Sequence, residues 1–276
     1  MRFSIWFSPT KTIGIAVVLP LLVSSAAACG DTDEPTSPSP TSAHGSPSAS
    51  TSATTNPTGT GQTGVSNGQT YSVANLPIDG TTSDGNGGEW HVQVGQLSGG
   101  DPEVCDVFND ASQGVAHRRI DEAQADNAVF PSRWSFESKS TVTFSNIAIG
   151  QLISSTDYAG AHPVTMYDTV VVDSRTAQPI TLADLFANEQ AGLNRLSEQA
   201  RIIGLKSNDD ITVVEPDEAG IAPTPANFGA WLPTEQGMQI NFPYRHFAGG
   251  SLPASFTVPW ATLADVLAPN MAVLAQ

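Results

Sequence analysis

Lysine, cysteine and positive charge are scarce in this chain. Its 276 residues hold 11 Lys and Arg against 27 Asp and Glu, which gives a formal net charge of −16. A surface of this sign repels nucleic-acid phosphates and anionic lipid headgroups, so we expect neither nucleic-acid binding nor electrostatic docking on a membrane. The same charge would favour a basic partner, although a soluble, acidic exported protein would carry it too. The preference for Arg over Lys in an Ala-, Thr-, Gly- and Pro-rich background is compatible with an actinobacterial genome.

Recognisable catalytic and metal-binding motifs are also missing. The sequence has no Gly-x-Ser-x-Gly elbow, no His-Glu-x-x-His pair, no phosphate-binding loop and no closely spaced cysteines. The Asp- and Gly-rich segment 79–88 lacks the ligand spacing of an EF-hand loop and is interpreted as a linker or loop. We therefore expect no metal and no cofactor.

The N-terminal 28 residues resemble a lipoprotein signal peptide. Arg2 and Lys11 flank a charged start, and the apolar run Thr12–Val23 is shorter than the roughly 20 residues that a spanning helix needs. Small residues then lead to Cys29, as in a bacterial lipobox, which implies cleavage before Cys29 and lipidation of its thiol. Two acyl chains would hold the protein at the outer face of the cell membrane. The alternative is secretory cleavage after an Ala-x-Ala site, with Cys29 free or removed.

Residues 29–75 are predicted to form a disordered tether. Ser, Thr, Pro and Gly dominate residues 31–70, with Val65 as the one sizeable aliphatic residue, which is too little apolar area to offset chain entropy. One folded domain is then expected over residues 76–276, with its core starting near residue 89. If Cys29 is lipidated, Cys105 has no disulfide partner, and we interpret Cys105 as a small buried apolar residue.

The folded part begins with clear strand and helix patterns. Alternation over Glu89–Leu97 predicts a strand, and Asp101 with Pro102 predicts the start of a helix that continues to about Ala125. Residues 140–158 carry strand residues whose parity changes near Ser145, so we expect a bulge or turn there and another irregularity at Gly150.

The second half adds further strands and helices. Val164–Val172 is apolar on both parities, as in a central strand that is covered on both faces. Thr181 and Asp184 predict a capping box. Further patterns predict a helix from Glu189, a hairpin over 228–242, a last strand at 256–258 and a helix from Pro259. Strands and helices come in runs, so we expect an α+β fold: a mixed or antiparallel sheet with helices packed on one face.

An ordered series of motifs resembles the C-terminal domain of RsiV-type proteins. The series comprises Tyr158…Gly160-Ala161-His162, Ile180–Phe186, Phe242-Pro243-Tyr244 and Val258-Pro259-Trp260. RsiV-type proteins include an anti-sigma factor that senses lysozyme outside the cell, and a secreted immunogenic protein of mycobacteria carries a similar domain. The resemblance spans residues 89–276 and implies an extracytoplasmic binding domain. The chain lacks the family's cytoplasmic sigma-binding segment and spanning helix, so we expect no anti-sigma activity.

The corner around His162 is the candidate site. His162 could act as a base, with Asp157, Asp168 or Asp173 to orient it and a loop serine as nucleophile. Alternatively, His162 is a corner residue that hydrogen-bonds a backbone carbonyl. Tyr158, Tyr244 and Arg245 are typical of a binding surface, where aromatic and Arg side chains concentrate energy, and Gly160 allows the corner to turn. Tyr158 could equally be a core residue.

Two functions follow from these residues. The first is a membrane-anchored, non-enzymatic binding module for a basic protein or a cell-wall component. The second is a cell-wall-associated carboxylester hydrolase.

Overall fold

The computed structural model describes residues 58–82, 87–128, 133–160, 162–206, 219–243 and 254–276. Seven strands form one sheet whose spatial order equals their order along the chain. They are β1 (Thr58–Ser66), β2 (Gln69–Thr81), β3 (Glu89–Gly99), β4 (Ser135–Phe144), β5 (Ala148–Asp157), β6 (Val164–Asp173) and β7 (Gln178–Pro179).

A single helix makes this sheet a mixed one. All neighbouring strands run antiparallel except β3 and β4, which are parallel and are joined through α1 (Pro102–Asn127). A parallel pair requires such a crossover, whereas antiparallel neighbours need only short turns. The Asp101 side chain accepts a hydrogen bond from the Glu103 N–H, and Pro102 fills the first turn, so the start of α1 lies where the sequence predicts it.

The two faces of the sheet carry different layers. On one face α1 packs against the sheet, and the Ser112 hydroxyl accepts a 2.6 Å hydrogen bond from Gln151 Nε2. The neighbouring residue Gly150 points the other way, because side chains alternate along a strand. A Cβ at Gly150 would collide with Leu232 and Pro233 of a second sheet. This sheet has three antiparallel strands, β8 (Trp231–Pro233), β9 (Gly237–Phe242) and β10 (Ala254–Pro259), in the order β10-β9-β8.

Short helices complete the layer around the second sheet. They are α2 (Leu182–Leu185), α3 (Glu189–Lys206), α4 (Pro225–Phe228), α5 (Trp260–Leu263) and a 3₁₀ helix at Ala272–Ala275. Their apolar residues join Trp231, Ile240 and Phe242 in one core, while Phe108 and Phe136 belong to a second core beneath α1. In the described part of the chain, no helix is both long enough and apolar enough to cross a bilayer.

The α+β fold with a mixed sheet is confirmed. Its covering is more elaborate than one layer of helices, since α1 lies on one face and the small sheet with the remaining helices lies on the other. The predicted capping box is present: the Thr181 hydroxyl accepts from the Asp184 N–H, and the Asp184 carboxylate accepts from the Thr181 N–H.

The N-terminal boundary of the domain differs from the prediction. Strand β1 and the first part of β2 lie within residues 29–75, where composition predicts a tether, and both strands extend the sheet beyond β3. The turn between them is Asn67-Gly68 with φ values of 49° and 70°, both positive as a type I′ hairpin requires. Tyr71 of β2 is fully buried and stacks on Phe144 of β4. Few apolar residues suffice here, because β2 begins with alternating exposed and buried residues and buries only Tyr71 and Val73 there.

Three details of the strand pattern can be checked, and the turn expected near Ser145 is confirmed. The parity switch near Ser145 is the hairpin turn between β4 and β5. The expected irregularity at Gly150 is wrong, because the pairing of β5 with both neighbours is regular through this residue. Instead, Gly150 leaves room for β8. The prediction that Val164–Val172 is a central strand covered on both faces holds only for its second part. Val170–Asp173 are buried, whereas residues 164–169 are not, and β7 pairs only with Val172 and Asp173.

Candidate functional site

The loop between β5 and β6 brings together three predicted site residues, Tyr158, Gly160 and His162. The Tyr158 N–H donates a 2.8 Å hydrogen bond to the Ser135 carbonyl, which fixes the end of β5 against β4. The Asp157 carboxylate accepts from the Ala159 N–H at 3.0 Å and holds the corner from inside. Gly160 has a φ of 81°, a conformation that glycine adopts without a steric penalty.

His162 is exposed at the outer end of this loop. Among the residues that the structure describes, none hydrogen-bonds or ion-pairs with His162, neither a serine hydroxyl nor a backbone carbonyl. Each acid proposed to orient it has another partner. Asp157 accepts from Asn127 Nδ2 at 3.2 Å, and Asp168 and Asp173 are bound by arginines.

Asp168 lies at the centre of a charge cluster between β6 and α1. Arg119 binds it in a bidentate manner, with Nε 2.6 Å from Oδ2 and Nη2 3.0 Å from Oδ1. Arg118 adds a contact of 3.1 Å, and Glu122 pairs with Arg119 at 2.6 Å. The hydrogen bonds that Arg119 donates to Asp168 raise the pKa of Arg119. Since these groups satisfy one another, the cluster fixes α1 on the sheet and offers no free base.

Asp173 has a similar structural role at the opposite end of β6. Its carboxylate accepts from Arg175 Nε at 3.0 Å and from Arg175 Nη2 at 2.6 Å, and Arg175 Nη1 donates to the Asn270 carbonyl. The hydrogen bonds that Arg175 donates to Asp173 raise the pKa of Arg175. Ala177, in the same turn, has a φ of 53°. This turn therefore ties β6 to the C-terminal segment.

The solvent-facing side of α1 carries carboxylates that are not neutralised. No described cation pairs with these five exposed residues: Glu103, Asp106, Asp110, Asp121 and Asp126. The last turn of α1 contains no basic residue. The negative end of the helix dipole therefore lies beside Asp126 with no internal compensation. We call these five residues the acidic stripe.

A cavity of about 330 Å³ lies beside β6. Tyr167, Asp168 and Thr169 of β6 line one wall, and Asn227 and Asn241 line the other. The Thr169 hydroxyl donates to the Gly229 carbonyl at 2.9 Å and marks the end of the cavity nearest α4. Burial raises the pKa of Tyr167.

The remaining expectations concern single residues. Cys105 is free and buried, and burial raises the pKa of its thiol, as expected for a small core residue. Cys29, Tyr244 and Arg245 lie outside the described residues, so their proposed roles stay predictions. No group of three or more His, Cys, Asp or Glu among the described residues could hold a metal ion.

Sequence reasoning missed the acidic stripe, although its signal is present. Glu103, Asp106 and Asp110 follow a spacing of three and four residues, opposite the apolar stripe of the same helix. No sequence pattern indicates that most of β6 has no strand partner on the side of β7, because this depends on where β7 ends.

Comparisons with known proteins give a fold likeness and no close relative. No known protein family matches the chain, and no curated protein matches its sequence. The fold is similar to the crystal structure of a member of the DUF3298 family from Bacteroides fragilis, with a TM-score of 0.52 and 13% identity over 79% of this chain and 98% of that chain. A DUF3298 family protein from Pseudomonas aeruginosa gives a TM-score of 0.49 and 15% identity over 72% and 95% of the two chains.

At 13% identity, the likeness to the Bacteroides fragilis protein shows the fold alone. It agrees with the resemblance seen in the sequence, because RsiV-like domains are in the DUF3298 group.

Proposed function

We propose that this protein is a lipid-anchored, extracytoplasmic binding module without enzymatic activity, and that its partner is a basic protein. The observation that carries the proposal is the distribution of charge on the described surface. Four described arginines form ion pairs with carboxylates of the domain itself. The acidic stripe of α1, by contrast, faces solvent and has no described counter-ion.

These four arginines form ion pairs that stabilise the packing of the domain. Arg118 and Arg119 bind Asp168, Arg175 binds Asp173, and Arg195 binds Asp265 at 2.8 Å. The five carboxylates of the acidic stripe remain without a described ion-pair partner. A continuous field of one sign attracts proteins of the opposite sign and speeds their association, and salt weakens it.

The anchor is proposed from Cys29 and the small residues that precede it. A lipidated Cys29 would place the domain at the outer face of the membrane, where basic proteins and cell-wall components are accessible. Metabolic labelling with a palmitate analogue should mark the wild-type chain. The Cys29→Ser variant should be unlabelled and should leave the membrane fraction. Labelling that persists in Cys29→Ser would contradict the anchor.

The hydrolase alternative receives no support from the described residues. A hydrolytic His must be within hydrogen-bond reach of its nucleophile and its orienting acid. Among the described residues, His162 has neither a nucleophile nor an orienting acid as a hydrogen-bond partner.

The binding proposal is tested by titrating the full chain with hen egg-white lysozyme, using an uncharged-surface protein of similar size as the negative control. We expect saturable binding that weakens with salt. Asp110→Lys should weaken the binding about tenfold at low salt, because it reverses one charge in the acidic stripe. Glu235→Lys is the matched control, since it makes the same charge change at an exposed turn residue between β8 and β9.

The two variants also separate a specific surface from net charge. If Asp110→Lys and Glu235→Lys weaken binding equally, only the net charge matters and the acidic stripe is not the binding surface. No saturable binding of lysozyme or of cytochrome c, a second basic protein, would contradict the proposed function.

A further inference from the structure

Within the part of the chain that the structure describes, strand β6 leaves part of the sheet edge open. It has ten residues and pairs along its whole length with β5, but β7 covers only Val172 and Asp173 on its other side. The Val171 carbonyl accepts from the Ile180 N–H across this edge. In an antiparallel strand the backbone groups of alternate residues point to the same side. Thr165, Tyr167 and Thr169 therefore also direct their N–H and C=O groups outward.

The outward groups of Thr165 and Tyr167 have no partner in the described part of the chain. Further along β6, the Thr169 hydroxyl donates a hydrogen bond to the Gly229 carbonyl. The part of the edge that is accessible to another strand therefore ends at Asp168. We call Val164–Asp168 the open edge. Native sheets usually cover or charge such an edge, because unpaired backbone groups are a template for another strand.

Exposed apolar side chains are concentrated at the same place. Four large apolar side chains are exposed among the described residues, and two of them are Val164 at 56% and Tyr158 at 43%. Val164 starts the open edge, and Tyr158 directly follows Asp157, the last residue of β5 and the pairing partner of Val164. A bound strand would therefore find apolar contacts next to the hydrogen-bonding groups.

The charge around the open edge is negative in balance, because Arg118 and Arg119 are paired with Asp168 and Glu122. Asn127, the last residue of α1, contacts Asp157, and Arg119 contacts the Met166 sulfur, so the last turns of α1 run past the open edge. These turns present Asp121 and Asp126 to solvent, and the negative end of the helix dipole lies there. A bound segment with lysine or arginine side chains would neutralise these two carboxylates and the negative end of the helix dipole.

We propose that the open edge binds an extended, basic segment of the partner protein as an added β-strand. The proposal rests on the proposed function for the class of partner and adds the place and the form in which the partner is bound. Strand addition uses the backbone for affinity and side-chain contacts for selectivity. Here the backbone contacts come from Thr165 and Tyr167, the apolar contact from Val164, and the charge selection from Asp121 and Asp126.

The probe for the test is a nine-residue peptide of alternating lysine and valine, titrated into the full chain. A second peptide of the same sequence carries an N-methyl group on every second residue, which removes backbone donors and keeps the charge. We expect the first peptide to bind, and the methylated peptide to bind about tenfold more weakly.

Two pairs of variants locate the binding on the protein. Val164→Lys should weaken peptide binding about tenfold, whereas Val65→Lys, the same change at a valine that is 58% exposed on β1, should change it less than about twofold. Thr165→Pro removes an N–H that no sheet hydrogen bond uses, so it should block strand addition, whereas Thr165→Ala should not. If Thr165→Pro fails to fold by circular dichroism, the two valine variants decide alone.

Several outcomes would overturn the proposal. Equal binding of both peptides, or equal effects of Val164→Lys and Val65→Lys, would mean that charge alone attracts the peptide. If lysozyme binds but neither peptide does, the open edge is not the binding surface, and the proposed function remains intact. Failure of both ligands would contradict both proposals. A dimer of the free chain that Thr165→Pro dissociates would assign the open edge to a second copy instead.

Discussion

The pairing of the N-terminal hairpin with the domain can be tested at Tyr71. This side chain has no exposed surface and stacks on Phe144 with ring centroids 6.4 Å apart. Its hydroxyl accepts a long hydrogen bond, 3.5 Å, from the Asp101 N–H at the start of α1. Replacing a buried aromatic side chain by alanine costs about 3–5 kcal/mol, because transfer free energy is lost and a cavity remains.

Urea unfolding of Tyr71→Ala measures this cost. With an m value of about 2–3 kcal/mol per M, the unfolding midpoint should fall by about 1–2 M. Tyr71→Phe keeps the ring and loses only the weak hydrogen bond, so it should cost less than about 1 kcal/mol. Ser72→Ala, at the exposed neighbour, should stay within about 0.5 kcal/mol of wild type. A cost below about 1 kcal/mol for Tyr71→Ala would mean that β1 and β2 are a tether after all.

Three further predictions concern the capping box, the charge cluster and the loop histidine. Hydrogen bonds from the Thr181 hydroxyl and then from its N–H lower the pKa of Asp184, so this carboxylate stabilises the fold above its unfolded pKa of about 3.9 and the stabilisation is lost as pH falls through the lower folded pKa. The urea midpoint of Asp184→Asn should accordingly fall less than that of wild type between neutral pH and this acid range, and equal losses would refute the assignment. Arg119→Ala should cost about 1–3 kcal/mol in unfolding free energy, since it removes two charged hydrogen bonds to Asp168; an unchanged midpoint would contradict the role of this pair in holding α1. Any slow hydrolysis of p-nitrophenyl acetate should be equal in wild type and His162→Ala, and a specific loss in a folded variant would revive the hydrolase.

Local signals predict α1 and the capping box well. Asp101, Pro102 and the apolar residues Val104 and Phe108 suffice to specify the start and the buried face of α1, because helix caps and periodicity act over a few residues. Thr181 with Asp184 does the same for α2. These interactions join residues that are close in sequence, so the sequence contains their whole description.

The N-terminal hairpin shows where composition misleads. Thr, Gly and Ser dominate the segment, which is typical of a linker, yet Asn67-Gly68 is a strong hairpin signal that composition ignores. Tyr71 and Val73 are the buried anchors of β2. Turn chemistry together with these two residues would have predicted the hairpin.

The open edge depends on distant structure and could not be predicted. The apolar run of β6 has the composition of a central strand, but only its residues Val170–Asp173 are buried. Pairing with β7 ends at Ile180, whose N–H still bonds the Val171 carbonyl, because Thr181 caps the start of α2. The bond between Arg119 and Asp168 likewise joins residues 49 positions apart, and no local pattern indicates it.

Amide hydrogen exchange of the full chain, with and without hen egg-white lysozyme, tests the central claim most directly. A binding module with an acidic docking surface predicts slower exchange on lysozyme binding in the open edge, at the outward N–H groups of Thr165 and Tyr167. It predicts no change in the turn between β8 and β9, which contains Glu235. Unchanged exchange throughout the chain at saturating lysozyme, or protection confined to regions away from α1 and β6, would contradict the account.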